Sequence, residues 1–233
     1  MIINRSFKEF EFRHRNKQNQ IIFTSKKVKN DEEIINLIDN FLIEKNSFIF
    51  ESVEKGKIKG RYTIFGKNPD KIWEFNNNNS YQIKNREKIL LKEKPEKLIE
   101  KIIENFKFET PKNLPKICSL ISGFFSYDAI RYIEKIPNSC KNDLKLPDVR
   151  LLRPRTLIIH DNLKKKIFFI INIFKDEKIK NYQIKYNEIK SELYTLQTQS
   201  SIKSLRNTID IRSKNIKVKS NTSKNKFINM VKK

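Results

Sequence analysis

Glycine is nearly absent from this chain, at 4 of 233 residues. A backbone calls for glycine where it turns left-handed or where another group passes too close for a Cβ. Each survivor therefore marks a constrained point of the chain path. Gly56, Gly60 and Gly66 fall within eleven residues, and Gly123 lies six before the only alanine, Ala129. Those two neighbourhoods are where function is expected.

The scarcity has a compositional source, and the same source explains the charge. Lys+Arg number 50 against 27 Asp+Glu, a formal net charge of +23. Such a balance suggests a nucleic-acid binder. Yet 39 of the cations are lysine and only 11 arginine, beside 36 Ile and 26 Asn. Lys, Asn and Ile share AT-rich codons, whereas Gly, Ala and Pro have GC-rich ones. Phosphate and base-edge recognition also favours the planar arginine fork. The charge thus reads as a solvated, lysine-rich surface, with no nucleic-acid partner expected.

Other classes fall away quickly. No apolar run approaches the ~20 residues of a membrane-spanning helix. MIINRSFKEFEFRHR lacks the apolar core of a signal peptide. Cys118 and Cys140, with His14 and His160, offer neither a disulfide framework nor a zinc-ligand spacing. A cytoplasmic protein without a membrane partner or a metal ligand set is expected. The 17 Phe and 36 Ile supply the bulk for a real core.

Hydrophobic periodicity predicts the elements. EFEF (9–12) alternates like a strand. Asn30 or Asp31 can cap a helix whose apolar face is Ile34, Ile35, Ile38, Phe41 and Leu42. SFIFES (47–52) and RYTIFG (61–66) read as paired strands, and KIWEF (71–75) and YQIK (81–84) flank a polar loop. Pro95 starts a helix with the stripe Leu98, Ile99, Ile102, Ile103 and Phe106. ICSLISGFFSY (117–127) suits a central strand, AIRYIEKIP (129–137) a short helix. RTLIIHD (155–161) and KKIFFIINIF (165–174) bracket a hairpin turn at Asp161-Asn162-Leu163. A helix follows over 175–197, then an unpatterned linker, then a helix capped by Thr222 or Ser223. Short strands with hairpin turns and several helices indicate α+β, with antiparallel sheets and packed helices. The last helix is cut short at Lys233, as expected of the front part of a longer protein.

Glu51 and Ser52 stand side by side at a strand end. Neighbouring strand residues point to opposite faces, so one side chain at most enters a given pocket. A carboxylate can pair with an ammonium and a hydroxyl can serve a carboxylate, which suits an amino-acid ligand. The same pair would serve equally as the surface of a hairpin turn. Asp128, Glu134 and Asp148 have no paired His and no metal-ligand spacing, and read as caps and turns.

The longer strings are more specific. FIFES (Phe48–Ser52), GRYT (Gly60–Thr63), Gly66 and Pro69 resemble the "LLES … GRYS … G … P" signature of anthranilate synthase component I. GFFSYDAIRYIEKIP (Gly123–Pro137) resembles that family's "GYFGYDxVRxxExLP". LPDVRLLRPRTLIIHDNLKKK (Leu146–Lys166) is similar to its "PDxxxxxPxTLxxFDH". SNTSKNKFINMVKK is similar to "SNxTxxxFxxxVxKAK", where the chorismate-binding half opens. The pattern departs at Phe50 for Leu, Thr63 for Ser, Ser126 for Gly and Arg155 in the "PxT" step. Ser126 conflicts with the pattern if that position needs positive φ.

The resemblance implies an antiparallel two-sheet core shared between two halves of the enzyme. Residues 1–195 would form the N-terminal domain, 196–221 a linker, and 222–233 the start of the chorismate-binding domain. It implies conversion of chorismate and ammonia to anthranilate in tryptophan biosynthesis, with Mg²⁺ and a glutamine amidotransferase subunit, component II. The catalytic and Mg²⁺-binding residues belong to the other half, so this chain alone is expected to be inactive. Ser52 and Glu51 match the motif that lines the family's tryptophan site, with Arg61 a weaker match that supports the turn. Aminodeoxychorismate synthase component I shares part of the pattern and is the alternative, as is a basic nucleic-acid-binding module.

Overall fold

The computed structural model describes residues 1–30, 32–41, 44–51, 60–137, 144–200 and 220–232. Ser52, Gly56 and most of the 196–221 linker lie outside them. The order is α1 (Phe7–Arg15), β1 (Gln20–Lys27), α2 (Glu32–Phe41), β2 (Phe48–Phe50), β3 (Tyr62–Asn76), β4 (Asn79–Lys84) and β5 (Glu87–Leu91). Then come α3 (Pro95–Asn105), β6 (Ser122–Phe125), β7 (Val149–Asp161), β8 (Lys166–Ile173), α4 (Tyr182–Gln199) and α5 (Lys224–Val231). All pairings are antiparallel, so the expected α+β class with antiparallel sheet and packed helices holds.

Two long strands organise the sheet. β3 and β7 pair along almost their whole length, from Tyr62↔Asp161 to Phe75↔Val149. Each changes its outer neighbour midway. β3 takes β2 at residues 64–66 and β4 at 72–76, and β7 takes β6 at 149–152 and β8 at 156–161. The exchange falls where Pro69 faces Pro154 and the register shifts before Lys71. Proline removes a ladder donor, and a bulge adds one residue on one strand. The extra residue inverts the alternation of β3. Tyr62 and Ile64 pack with Leu157 and Ile159, whereas beyond the bulge Trp73 and Phe75 pack with Val149 and Leu151.

The helices divide between the two halves of this sheet. Phe10 of α1, Ile34 and Leu37 of α2, and Ile189, Leu193 and Leu196 of α4 cover Ile22, Phe65, Ile158 and the odd-numbered residues of β8. Leu98 and Ile102 of α3 cover Trp73, Phe75, Val149 and Leu151 of the other half. β8 is buried on both faces, with Phe168 and Ile170 in a second cluster beneath it. That double burial explains its unbroken apolar run.

Local chemistry corrects three expectations. EFEF is helical: the Ser6 hydroxyl accepts the Glu9 N–H at 3.3 Å, and Arg13, His14 and Arg15 occupy the last turn. Phe10 and His14 are buried one turn apart while Phe12 is 66% exposed, so the period is that of a helix. Only Ser122–Phe125 of the 117–127 run is strand, and it is peripheral, bonded to β7 alone. The short helix expected over 129–137 is a 3₁₀ helix and lies at Tyr127–Tyr132. Asn30 accepts the Glu33 N–H at 3.3 Å and Ser223 caps α5, as expected, whereas the strands expected at 61–66 and 71–75 are one continuous strand and the helix expected over 175–197 begins at Tyr182.

Candidate functional site

The mouth between β2 and β3 carries the first candidate neighbourhood. Pairing of Phe48 with Gly66 and of Phe50 with Ile64 puts both phenylalanines on one face. Their rings lie 4.8 Å apart. A Cβ on Gly66 would run into the Phe48 ring, so this glycine is what lets the ring lie across β3. Phe48, Tyr62 and Ile64 are partly buried there and Phe50 is 46% exposed, which leaves an open aromatic wall. Glu51 follows it directly and is exposed. Gly60 leads back into β3 with φ 72°, a left-handed residue.

Arg61 is engaged by a carboxylate of the chain itself. Its Nε and Nη2 donate to the two Asp161 carboxylate oxygens at 3.0 and 2.7 Å. Asp161 Oδ1 also accepts the N–H groups of Leu163 and Lys164, at 3.1 and 3.0 Å, which shapes the β7–β8 turn. Burial pushes the Asp161 carboxyl up, but the Arg61 and backbone donors outweigh it and hold it below its usual value. The same hydrogen bonds raise the Arg61 guanidinium. The pair ties the GRYT motif to the IIHD motif across the mouth. Asp161 was legible in the sequence only as a turn residue.

The second neighbourhood is similarly self-contained. A Cβ on Gly123 would strike the Arg150 carbonyl oxygen, so this glycine permits β6 to approach β7. Arg131 Nε and Nη2 donate to Asp128 at 3.0 and 2.9 Å, and Nη1 donates to the carbonyls of Ile136 and Pro137. Tyr132 Oη donates to Asp148 at 2.8 Å, and the same carboxylate accepts the Asn77 N–H at 3.1 Å. Burial first, then the Asp148 contact, pushes the Tyr132 hydroxyl well up. Asp128 and Asp148, expected as caps and turn residues, bind Arg131 and the Tyr132 hydroxyl with the Asn77 N–H, respectively, and neither caps a helix. Ser126 has φ −72°, extended backbone, so serine fits where the motif has glycine.

Among the described residues no three His, Cys, Asp or Glu side chains gather where a metal ion could be held. Magnesium finds no donor set in them. Among them, no helix is long and apolar enough to cross a membrane.

No family model matches the chain. Single relatives do. Anthranilate synthase component 1 of Acetivibrio thermocellus is 33% identical over 143 residues, 61% of this chain and 29% of that protein. The Cereibacter sphaeroides protein of the same name is 30% identical over 169 residues, 70% of this chain and 33% of that one. Anthranilate synthase alpha subunit 2, chloroplastic, of Arabidopsis thaliana is 30% identical over 184 residues, 72% and 29% of the two chains. The crystal structure of anthranilate synthase component I from Streptococcus pneumoniae matches the fold with a TM-score of 0.50 at 21% identity, over 66% of this chain and 32% of that one. The chain therefore spans about a third of the length of the relatives it matches. It is homologous to anthranilate synthase component 1 over roughly the N-terminal third of those proteins.

Proposed function

We propose that this chain is the N-terminal, tryptophan-responsive part of an anthranilate synthase component I acting in the cytoplasm. Residues 1–195 form its domain, 196–221 a linker and 222–233 the start of the chorismate-binding part. Chorismate conversion, Mg²⁺ and the chemistry of ammonia supplied by component II reside in the remainder of such a protein, so this chain alone makes no anthranilate. One observation carries the reading: Arg61 of the GRYT motif and Asp161 of the IIHD motif, both shared with the family, meet through two hydrogen bonds although the sequence separates them by 100 positions.

In this reading the effector site lies at the end of β2. Because β2 ends at Phe50, strand alternation does not govern the pair that follows: Glu51 meets the ammonium of tryptophan, the Ser52 hydroxyl its carboxylate, and the aromatic wall of Phe48, Phe50 and Tyr62 its indole. Arg61 supports the site through Asp161 and does not touch the ligand. The test is a chimera with residues 1–195 in place of the matching segment of the Acetivibrio thermocellus protein. It should form anthranilate and be inhibited by tryptophan. Ser52→Ala and Glu51→Gln should raise the half-inhibiting concentration roughly tenfold or more, the loss of a charge-assisted hydrogen bond, with turnover unchanged. An active chimera whose inhibition ignores both substitutions overturns the site.

A further inference from the structure

Beyond the bulge, one face of the β3–β7 sheet has no helix over it among the described residues. There, α3 covers the face of Trp73 and Phe75. Cross-strand partners share a face, so the opposite one presents the row Leu90, Tyr81, Glu74, Arg150 and Phe124. A groove of about 820 Å³ opens here, in the notch where β3 has lost β2 and not yet gained β4. That volume is ordinary for a small-molecule site.

The groove has more positive charge than its own acids balance. Glu74, 5% exposed, lies between Arg150 and Lys88, with Lys88 Nζ at 2.7 Å. Asp70 is held by Arg153, whose Nε donates to it at 2.8 Å. Lys45, Lys84 and Arg86 also line the groove, and among the described residues none has an acidic partner within ion-pair distance. Arg150 Nη2 is fixed by Asn46 Oδ1 at 3.0 Å, so one wall is ordered before any ligand arrives. Arg86 stands at φ 69° in the β4–β5 turn, a conformation unfavourable for arginine that a glycine would relieve.

We propose that this groove binds a small anion of two or more charges, with phosphate or carboxylate groups, between Arg86, Lys45 and the Arg150–Glu74–Lys88 cluster. The proposal stands independently of the tryptophan site. A delocalised lysine surface would hold such an ion weakly and lose it in salt, whereas donors that converge on one groove, with Arg150 already fixed by Asn46, retain it.

Isothermal titration of the full chain with pyrophosphate and with citrate, at an ionic strength of about 0.15 M, tests it. Saturable one-to-one binding is expected, weakened roughly tenfold or more in Arg86→Gly/Lys45→Ala. The control Lys178→Ala/Lys180→Ala should be unchanged. Glycine suits the left-handed position, so the first variant keeps its turn, and a cooperative melt no lower than that of the wild type verifies this. Tighter pyrophosphate identifies a phosphate ligand and tighter citrate a carboxylate one; either supports the groove. Absence of saturation for both ions, or equal weakening in the control, overturns it. So does binding confined to long polyanions such as single-stranded DNA.

Discussion

Arg61 and Asp161, 100 positions apart, close on one another through two hydrogen bonds at 3.0 and 2.7 Å. Asp161 is 2% exposed, so removing the guanidinium leaves a buried carboxylate with only backbone donors. Arg61→Ala should lower the melting temperature by roughly 5–10 °C, and Arg61→Lys should recover only part of it, because an ammonium cannot engage both oxygens at once. The Asp161 carboxyl is held below its usual value, so its contribution is complete above the ordinary carboxylate range and fades as pH falls through the folded value. Thermal melts of wild type and Asp161→Asn should differ at pH 7 and converge below about pH 4.

The two motif glycines fail differently when given a side chain. At Gly66 the obstacle is the Phe48 ring, which can move at the cost of its packing. Gly66→Ala should cost about 1–3 kcal/mol, and Phe48→Ala in the same chain should cost less than the sum of the two single changes. At Gly123 the obstacle is the Arg150 carbonyl, which cannot move without breaking the β6–β7 pairing. No second-site truncation should rescue Gly123→Ala. Urea titrations of the single and double variants measure both.

His14 makes stability sensitive to mild acid. Its Nδ1 and the Tyr182 hydroxyl share a hydrogen bond of 3.0 Å between α1 and α4. Burial pushes its pKa down, against an opposing pull from the Glu177 carboxylate. A histidine lowered on folding takes up its proton more readily when unfolded, so stability should be full above about pH 6.5 and fall as pH drops below it. His14→Gln should flatten that slope between about pH 6.5 and 5, read from melts across the range.

Left-handed positions are filled here by Asn, Lys and Arg in place of glycine. Asn77 and Asn78 turn β3 into β4, Asn85 and Arg86 turn β4 into β5, and Lys165 precedes β8, all with φ between 49° and 69°. Arg86→Gly and Lys165→Gly should each raise stability by roughly 0.5–1 kcal/mol, asparagine substitutions changing it least. Gly60→Ala, at φ 72°, should lower it by about 1 kcal/mol. Chemical denaturation resolves changes of this size.

What the sequence makes legible follows from how local each signal is. The α4 helix is readable because Tyr182, Tyr186, Ile189 and Leu193 repeat with the helical period and all contribute to one cluster. β8 is readable because both of its faces are buried. α1 is misread because Phe10 and Phe12 alternate by two while the deciding contact, Ser6 to Glu9, is a polar cap. The bulge after Pro69 is invisible in sequence, yet it decides which side of β3 meets α3. At the candidate site, strand pairing near Glu51 is evident from the motif. The partner of Arg61 is not, since only folding brings the β7–β8 turn to it.

Release of anthranilate from chorismate, ammonia and Mg²⁺, followed by its fluorescence with the purified chain, tests the central claim most directly. No signal above a protein-free control is expected. Appreciable turnover would contradict it, by placing catalytic groups in a chain read here as carrying the fold and the effector site alone.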